Sequence, residues 1–102
     1  MNNEVWSFGG NYYGQLGLGD NINRYTPTKI PNIIAKSVSY GNFHTVIIDM
    51  NNDIWSFGWN CYGHLGLGDN IYIYINTPTK IPNISAKYVS CGYFHTVIIT
   101  GI

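Results

Sequence analysis

Three histidines, His44, His64 and His95, are the side chains of this 102-residue chain best suited to acid–base work or metal binding. His44 and His95 occupy the same place in two similar runs, each followed by threonine (Thr45 and Thr96). Neither has a second His, Cys or Asp at ligand spacing, so both read as structural hydrogen-bonding residues and not as metal ligands. His64 stands where the first run has Gln15 and reads as a polar loop residue. Cys61 and Cys91 form no Cys-x-x-Cys pair, and their counterparts are Tyr12 and Tyr40, so two reduced thiols are expected. The run Gly14-x-x-Gly17-x-Gly19 lacks both the Rossmann order and the Walker lysine, and no helix follows it, so it is not a phosphate loop. Asp20 and Asp69 follow the glycines without an acidic ladder, which favours turn capping over Ca²⁺ binding. Asp49 and Asp53 read as turn residues, and no Ser-His-Asp arrangement can be argued from spacing. The expectation is no catalytic residue, no metal and no cofactor.

The background composition narrows the class further. Hydrophobic residues are 45% of the chain and charged residues 10%, too apolar for a disordered segment. The formal net charge is zero, so no basic field draws in phosphate backbones and nucleic acid is an unlikely partner class. The first residues show no basic segment leading into an apolar one, so no secretory leader is expected. No apolar run approaches the roughly 20 residues of a membrane helix. The default is a soluble intracellular protein, cytoplasmic or nuclear.

A repeat organises these residues. Trp6-Ser7-Phe8-Gly9 returns as Trp55-Ser56-Phe57-Gly58, and Thr26–Ile33 returns as Thr77–Ile84. Val5–Ile22 and Ile54–Ile71 share 14 of 18 residues, and Thr26–Ile48 and Thr77–Ile99 share 19 of 23. One domain over 1–102 is expected, with repeat 1 at 4–51 and repeat 2 at 53–102. The second repeat is longer by two residues, which fall within Asn70-Ile71-Tyr72-Ile73-Tyr74-Ile75-Asn76. Length changes are tolerated in surface loops, so this segment is expected to be a loop, against the strand propensity of its alternating Ile and Tyr.

A period near 50 residues fits propeller-type arrays. Val5–Phe8, Lys36–Tyr40, Phe43–Ile48 and Asp53–Phe57 are rich in β-branched and aromatic residues and bounded by Gly, Asn or Asp, so each predicts a strand. Asp49–Asp53 predicts a hairpin turn. Lys29 and Lys80 each lie between two prolines, which predicts a short strand at a sheet edge. Together the elements predict an all-β fold.

The run Trp6-Ser7-Phe8-Gly9, Asn11, Gly14-Gln15-Leu16-Gly17-Leu18-Gly19, Pro27, Val38-Ser39-Tyr40-Gly41 and His44-Thr45 resembles the regulator of chromosome condensation repeat. The second copy resembles it too, with His64 in place of Gln15. The structural signature is Gly9, Gly14, Gly17, Gly19, Gly41 and His44, then Gly58, Gly63, Gly66, Gly68, Gly92 and His95. The resemblance implies β-propeller-type blades of four antiparallel strands, usually about seven in a ring. Two repeats cannot close such a ring. Their phase predicts one full central blade flanked by two half-blades, with strand edges left open for pairing. The chain is therefore expected to associate head to tail with itself or to be part of a longer propeller.

Function is expected to reside in loops that contact an unidentified protein partner, as a non-catalytic interaction or scaffolding module. Arg24, Tyr25, Tyr72 and Tyr74, in or beside the variable loop, are the candidate partner-binding residues, since tyrosine is enriched in binding hot spots. Competing readings are guanine-nucleotide exchange on a small GTPase with chromatin association, which the family's founding member implies, and a gene fragment with no selected partner. Ultraviolet sensing, known in a plant relative of this family, relies on tryptophan in a Gly-Trp-Arg-His-Thr block. Here the blocks read Gly41-Asn42-Phe43-His44-Thr45 and Gly92-Tyr93-Phe94-His95-Thr96, without tryptophan.

Overall fold

The structure is a computed structural model that describes residues 3–68 and 73–101. Seven strands form, and no helix occurs among the described residues: β1 (Glu4–Gly9), β2 (Arg24–Tyr40), β3 (His44–Asp49), β4 (Asp53–Trp59), β5 (Tyr74–Ser85), β6 (Tyr88–Cys91) and β7 (Thr96–Ile99). The order β1-β2-β3-β4-β5 makes one antiparallel sheet, and β6-β7 makes a second.

β2 is shared between two blades. Its first part pairs with β1 (Trp6↔Lys29, Ser7↔Thr28), and its second part, from Ala35, pairs with β3. Within the first part, at the register shift between Lys29 and Ile34, Asn32 has φ 65°, a left-handed conformation that asparagine tolerates better than other side chains; Asn83 repeats it at φ 66°. The second part of β2 with β3, β4 and β5 is the complete central blade. β1 with the first part of β2 is one half-blade, and β6-β7 is the other. Four antiparallel strands per blade and two incomplete flanks are what the repeat phase predicts.

Two expectations need correction. The Pro-Thr-Lys-Ile-Pro segment is not a short strand: in the first repeat it lies within the 17-residue β2. It does lie at the sheet's open edge, where a proline's missing N–H costs no ladder bond. The segment before Thr77 is not all loop. Tyr74, Ile75 and Asn76 open β5, with Trp59↔Tyr74 and Gly58↔Ile75 in register. Gly58↔Ile75 repeats Gly9↔Arg24, so the extra length precedes Ile75, and β4 supplies the ladder that the Ile/Tyr alternation needs.

The core lies between blades. Ile30 and Ile33 of β2 pack on Ile47 of β3 and Phe57 of β4. On the other side of the central blade, Val46, Ile48 and Ile54 pack on Ala86, with Val89 and Ile98 of the second half-blade against them. Strand alternation explains the split: successive β3 residues point to opposite faces, each covered by a different neighbour.

The glycine block hangs on a buried asparagine. Asn11 is fully buried, and its Oδ1 accepts from the Leu16 N–H (3.0 Å). Its Nδ2 donates to the Asp20 and Ile22 carbonyls (both 3.0 Å). Asn60 repeats the first of these with Leu65 N–H (3.2 Å). Ser7 and Ser56 donate to the carbonyls of Leu16 and Leu65, each at 2.8 Å. Gly17, at φ 73°, faces the Phe57 ring so closely that a Cβ would come within 2.7 Å of it, which fixes glycine there on both counts.

Candidate functional site

The β2–β3 connection (41–43), the described part of the β4–β5 connection (60–68) and their repeat counterparts (92–95 and 10–23) emerge at one end of the antiparallel strands; the Asp49–Asp53 turn is at the other. Aromatic rings from these connections and from Trp59, the last residue of β4, form a continuous row. Tyr13 meets Phe43 (5.0 Å between centroids) and stacks on Trp59 (5.4 Å, 27°). Trp59 meets Phe94 edge-on at 5.4 Å, and Tyr62 meets Phe94 at 5.5 Å. Each such pair contributes of order 0.5–1.5 kcal/mol beyond area burial. Trp59 is the hub. Its counterpart in the first repeat is Gly10, so the hub is supplied by the second repeat alone. Tyr12, Tyr62 and Tyr93 border it and are mostly exposed.

Beneath the row lie two buried histidines. His44 and His64 meet edge-on at 4.6 Å. Thr96 Oγ1 donates to the His64 carbonyl (2.9 Å) and so has only lone pairs left for His44 Nε2, 2.9 Å away. His44 Nε2 must then carry the proton, leaving Nδ1 as a bare, unpartnered acceptor. Burial, then the positive charges His64 and His95 would carry, push the His44 pKa down to about 4. Burial lowers that of His64 as well. Both rings are neutral at physiological pH, and this pair is a packed, bond-directing element. His44 is hydrogen-bonded across the blade junction, whereas His95 is exposed, its ring lying over Gly92 as that of His44 lies over Gly41. Among the described residues no group of three or more His, Cys, Asp or Glu is placed to hold a metal.

The residues singled out for partner binding are dispersed. Arg24 is held by Asp20, with Nη2–Oδ2 at 2.9 Å and Nη1–Oδ1 at 3.1 Å, and its guanidinium holds the Asp20 carboxyl below the usual range. Asp20 Oδ1 also accepts from the Ile22 N–H, the turn-capping role expected of it. Tyr25 is 93% exposed, and Tyr74 lies in β5. Neither enters a ring contact among the described residues, and Tyr72 lies outside them. Sequence reasoning missed Trp59, Phe43 and Phe94. The signal that could have found Trp59 is where the repeats differ, since Gly10/Trp59, Tyr12/Cys61, Gln15/His64 and Asn42/Tyr93 fall at this end; Phe43 and Phe94 are each other's counterparts and carry no such signal.

The regulator of chromosome condensation (RCC1) repeat matches residues 2–48 and 51–99, and a second form of it matches 35–63. The chain belongs to the RCC1 repeat family. A Caenorhabditis elegans protein, the X-linked retinitis pigmentosa GTPase regulator homolog, is 29% identical over 101 residues, covering 94% of this chain and 7% of that protein. Among solved structures, yeast RCC1 (Prp20) bound to Kap60 superposes with a TM-score of 0.85 at 23% identity, over 96% of this chain and 26% of that one. Human WBSCR16 gives 0.85 at 19% identity, over 98% and 27%. Saccharomyces cerevisiae Prp20p, described with its binding to Gsp1p and histones, gives 0.81 at 24%, over 95% and 27%. The RCC1-type chain thus spans about a quarter of the solved chains it matches, and at these identities the likeness carries the fold alone. No helix among its described residues is long and apolar enough to cross a membrane.

Proposed function

We propose that this RCC1-repeat chain is a non-catalytic protein-interaction module, working inside the cell, whose binding face is the loop end that carries the aromatic row. The row itself supports the reading: rings from four separate connections meet there, with Tyr12, Tyr62 and Tyr93 open to solvent. Exposed apolar surface gathered in one place marks interaction sites, and tyrosine and tryptophan dominate their energetics. Arg24, Tyr25, Tyr72 and Tyr74 stay in this reading as candidate partner contacts. The neutral net charge favours a protein over a nucleic acid. The proteins named with the similar solved structures, Kap60, Gsp1p and histones, are the first probes.

Binding of each probe to immobilised wild type, to a Tyr62→Ala/Tyr93→Ala double variant and to Met50→Ala at the opposite end tests the face. The double variant is expected to weaken binding about tenfold or more. Loss in Met50→Ala with none in the double variant would move the interface to the other end. Fluorescent GDP release from Gsp1p should not accelerate; acceleration would favour the exchange reading instead.

A further inference from the structure

One flank of the molecule carries a ring without a pocket, and the other carries the matching pocket without a ring. Inside the chain, Phe57 is fully buried against Ile30, Ile33 and Ile47, over Gly17. Its counterpart in the first repeat, Phe8, is 62% exposed. The second-repeat counterparts of that pocket, Gly66, Ile81, Ile84 and Ile98, line an open groove of about 540 Å³.

The strands carry the same asymmetry. β3 is paired on both edges, by β2 and β4. Its repeat counterpart β7 is paired by β6 alone, and β1, the counterpart of β4, is paired by β2 alone, among the described residues. Val46 and Ile48 are 0% exposed, whereas their counterparts Val97 and Ile99 are 58% and 59% exposed. The chain's own interior therefore specifies what covers each flank: another repeat of the same kind.

We propose that a second copy of this chain docks head to tail, its β1 adding antiparallel to β7 of the first copy and its Phe8 entering the groove. The register follows from that of β3 with β4, in which Thr45 faces Phe57, Val46 faces Ser56, Ile47 faces Trp55 and Ile48 faces Ile54. Moved by one repeat, Thr96 faces Phe8, Val97 faces Ser7, Ile98 faces Trp6 and Ile99 faces Val5 of the second copy. The joint strands β6-β7-β1-β2 then make a four-stranded blade. His95 of the first copy reaches Thr45 of the second, as His44 reaches Thr96 within one chain. Gly9 is left-handed with open space around it, whereas Gly58, equally left-handed, is crowded by the Phe43 carbonyl. Docking gives Gly9 the same crowding by Phe94, so the glycine is already in place for it. A zero net charge sets no long-range repulsion against association. The contact is heterologous, so copies either close into a ring or extend.

Two substitutions on exposed side chains separate this geometry from nonspecific stickiness: Phe8→Asp disables one flank and Val97→Asp the other. Light scattering coupled to size exclusion should give wild type a mass at least twice that of the monomer, and each variant alone the monomer mass. The equimolar mixture should give a one-to-one dimer that grows no further, since each variant retains one working flank. Independently, a mixture of Ser7→Cys and Val97→Cys should form an intermolecular disulfide between those two positions, located by mass spectrometry. A monomeric wild type, variants that keep the wild-type mass, a mixture that stays monomeric, or no Ser7→Cys to Val97→Cys linkage would each overturn the proposal.

Discussion

Acidification from neutral pH to about 4.5 should weaken the fold through one buried side chain. His44 takes a proton near 6.5 when unfolded but only near about 4 when folded. Between those values the unfolded chain binds a proton that the folded chain refuses, so stability is fully present above about 6.5 and falls as pH drops towards about 4. Below that the contribution of His44 levels off, since both states are charged. The gap is worth about 3 kcal/mol at completion. That is a large share of the roughly 5–15 kcal/mol that holds a domain of this size together. Burial of His64 acts in the same direction. Urea unfolding followed by tryptophan fluorescence, at one fixed protein concentration and stepped through this range, measures it. Asp20, its carboxyl held below the usual range by Arg24, keeps its charge in this window, and other ionisable groups contribute to wild type and variant alike. The comparison that decides is therefore wild type against His44→Gln, whose amide can still donate to Thr96. The variant starts less stable, having lost a ring, but should lose markedly less between pH 6.5 and 4.5. Parallel pH profiles for the two proteins would refute the assignment of His44 as the buried, proton-refusing group.

Gly17→Ala should lower stability by about 2–4 kcal/mol, because a left-handed backbone and contact with the Phe57 ring are both violated. Gly19→Ala, equally left-handed but with open space around it, should cost only about 1–2 kcal/mol; equal thermal shifts for the two would count against the contact. His64→Gln should stabilise by about 1 kcal/mol, as Gln15 accepts from the Tyr13 N–H at 2.9 Å while both His64 ring nitrogens are buried without partners; a lowered midpoint would contradict this. Asn11→Ala should cost about 2–4 kcal/mol by stranding the Leu16 N–H and freeing the carbonyls of Asp20 and Ile22, and a cost below about 1 kcal/mol in chemical denaturation would show that the block does not hang on it. The exposed pair Lys29–Glu4 (3.2 Å) should contribute under about 1 kcal/mol, so Lys29→Ala should leave the midpoint nearly unchanged.

What the sequence made legible was whatever repeats. Strand positions, the turn at Asp49–Asp53 and the half-blades at each flank follow from two copies of one pattern, because a structural requirement recurs in every unit. The loop reading of Tyr74–Asn76 failed because a length difference locates an insertion only to within a segment. The ladder offered by β4 decided where strand begins, and nothing in residues 70–76 alone encodes that partner. The aromatic row was illegible for a related reason. Tyr13, Phe43, Trp59 and Phe94 are far apart in sequence and meet only because alternate strand connections emerge at the same end.

The repeat also turns each half of the molecule into a control for the other. A buried residue and its exposed counterpart share type and backbone setting, so the difference in burial isolates what one neighbour contributes. Phe57 and Phe8 differ in this way, as do Val46 and Val97. Differences in type between counterparts carry the opposite information. Where Gly10 becomes Trp59 and Asn42 becomes Tyr93, the fold tolerates both, so folding alone did not select the aromatic. Positions on which blades stack are among those the repeats share, and a difference in type marks a position that stacking alone does not fix. Four of the eight differences between the aligned segments, Gly10/Trp59, Tyr12/Cys61, Gln15/His64 and Asn42/Tyr93, lie at the loop end where a partner is proposed to sit. The two surfaces adjoin, because Tyr62 and Phe94 of the aromatic row also line the groove proposed to receive Phe8.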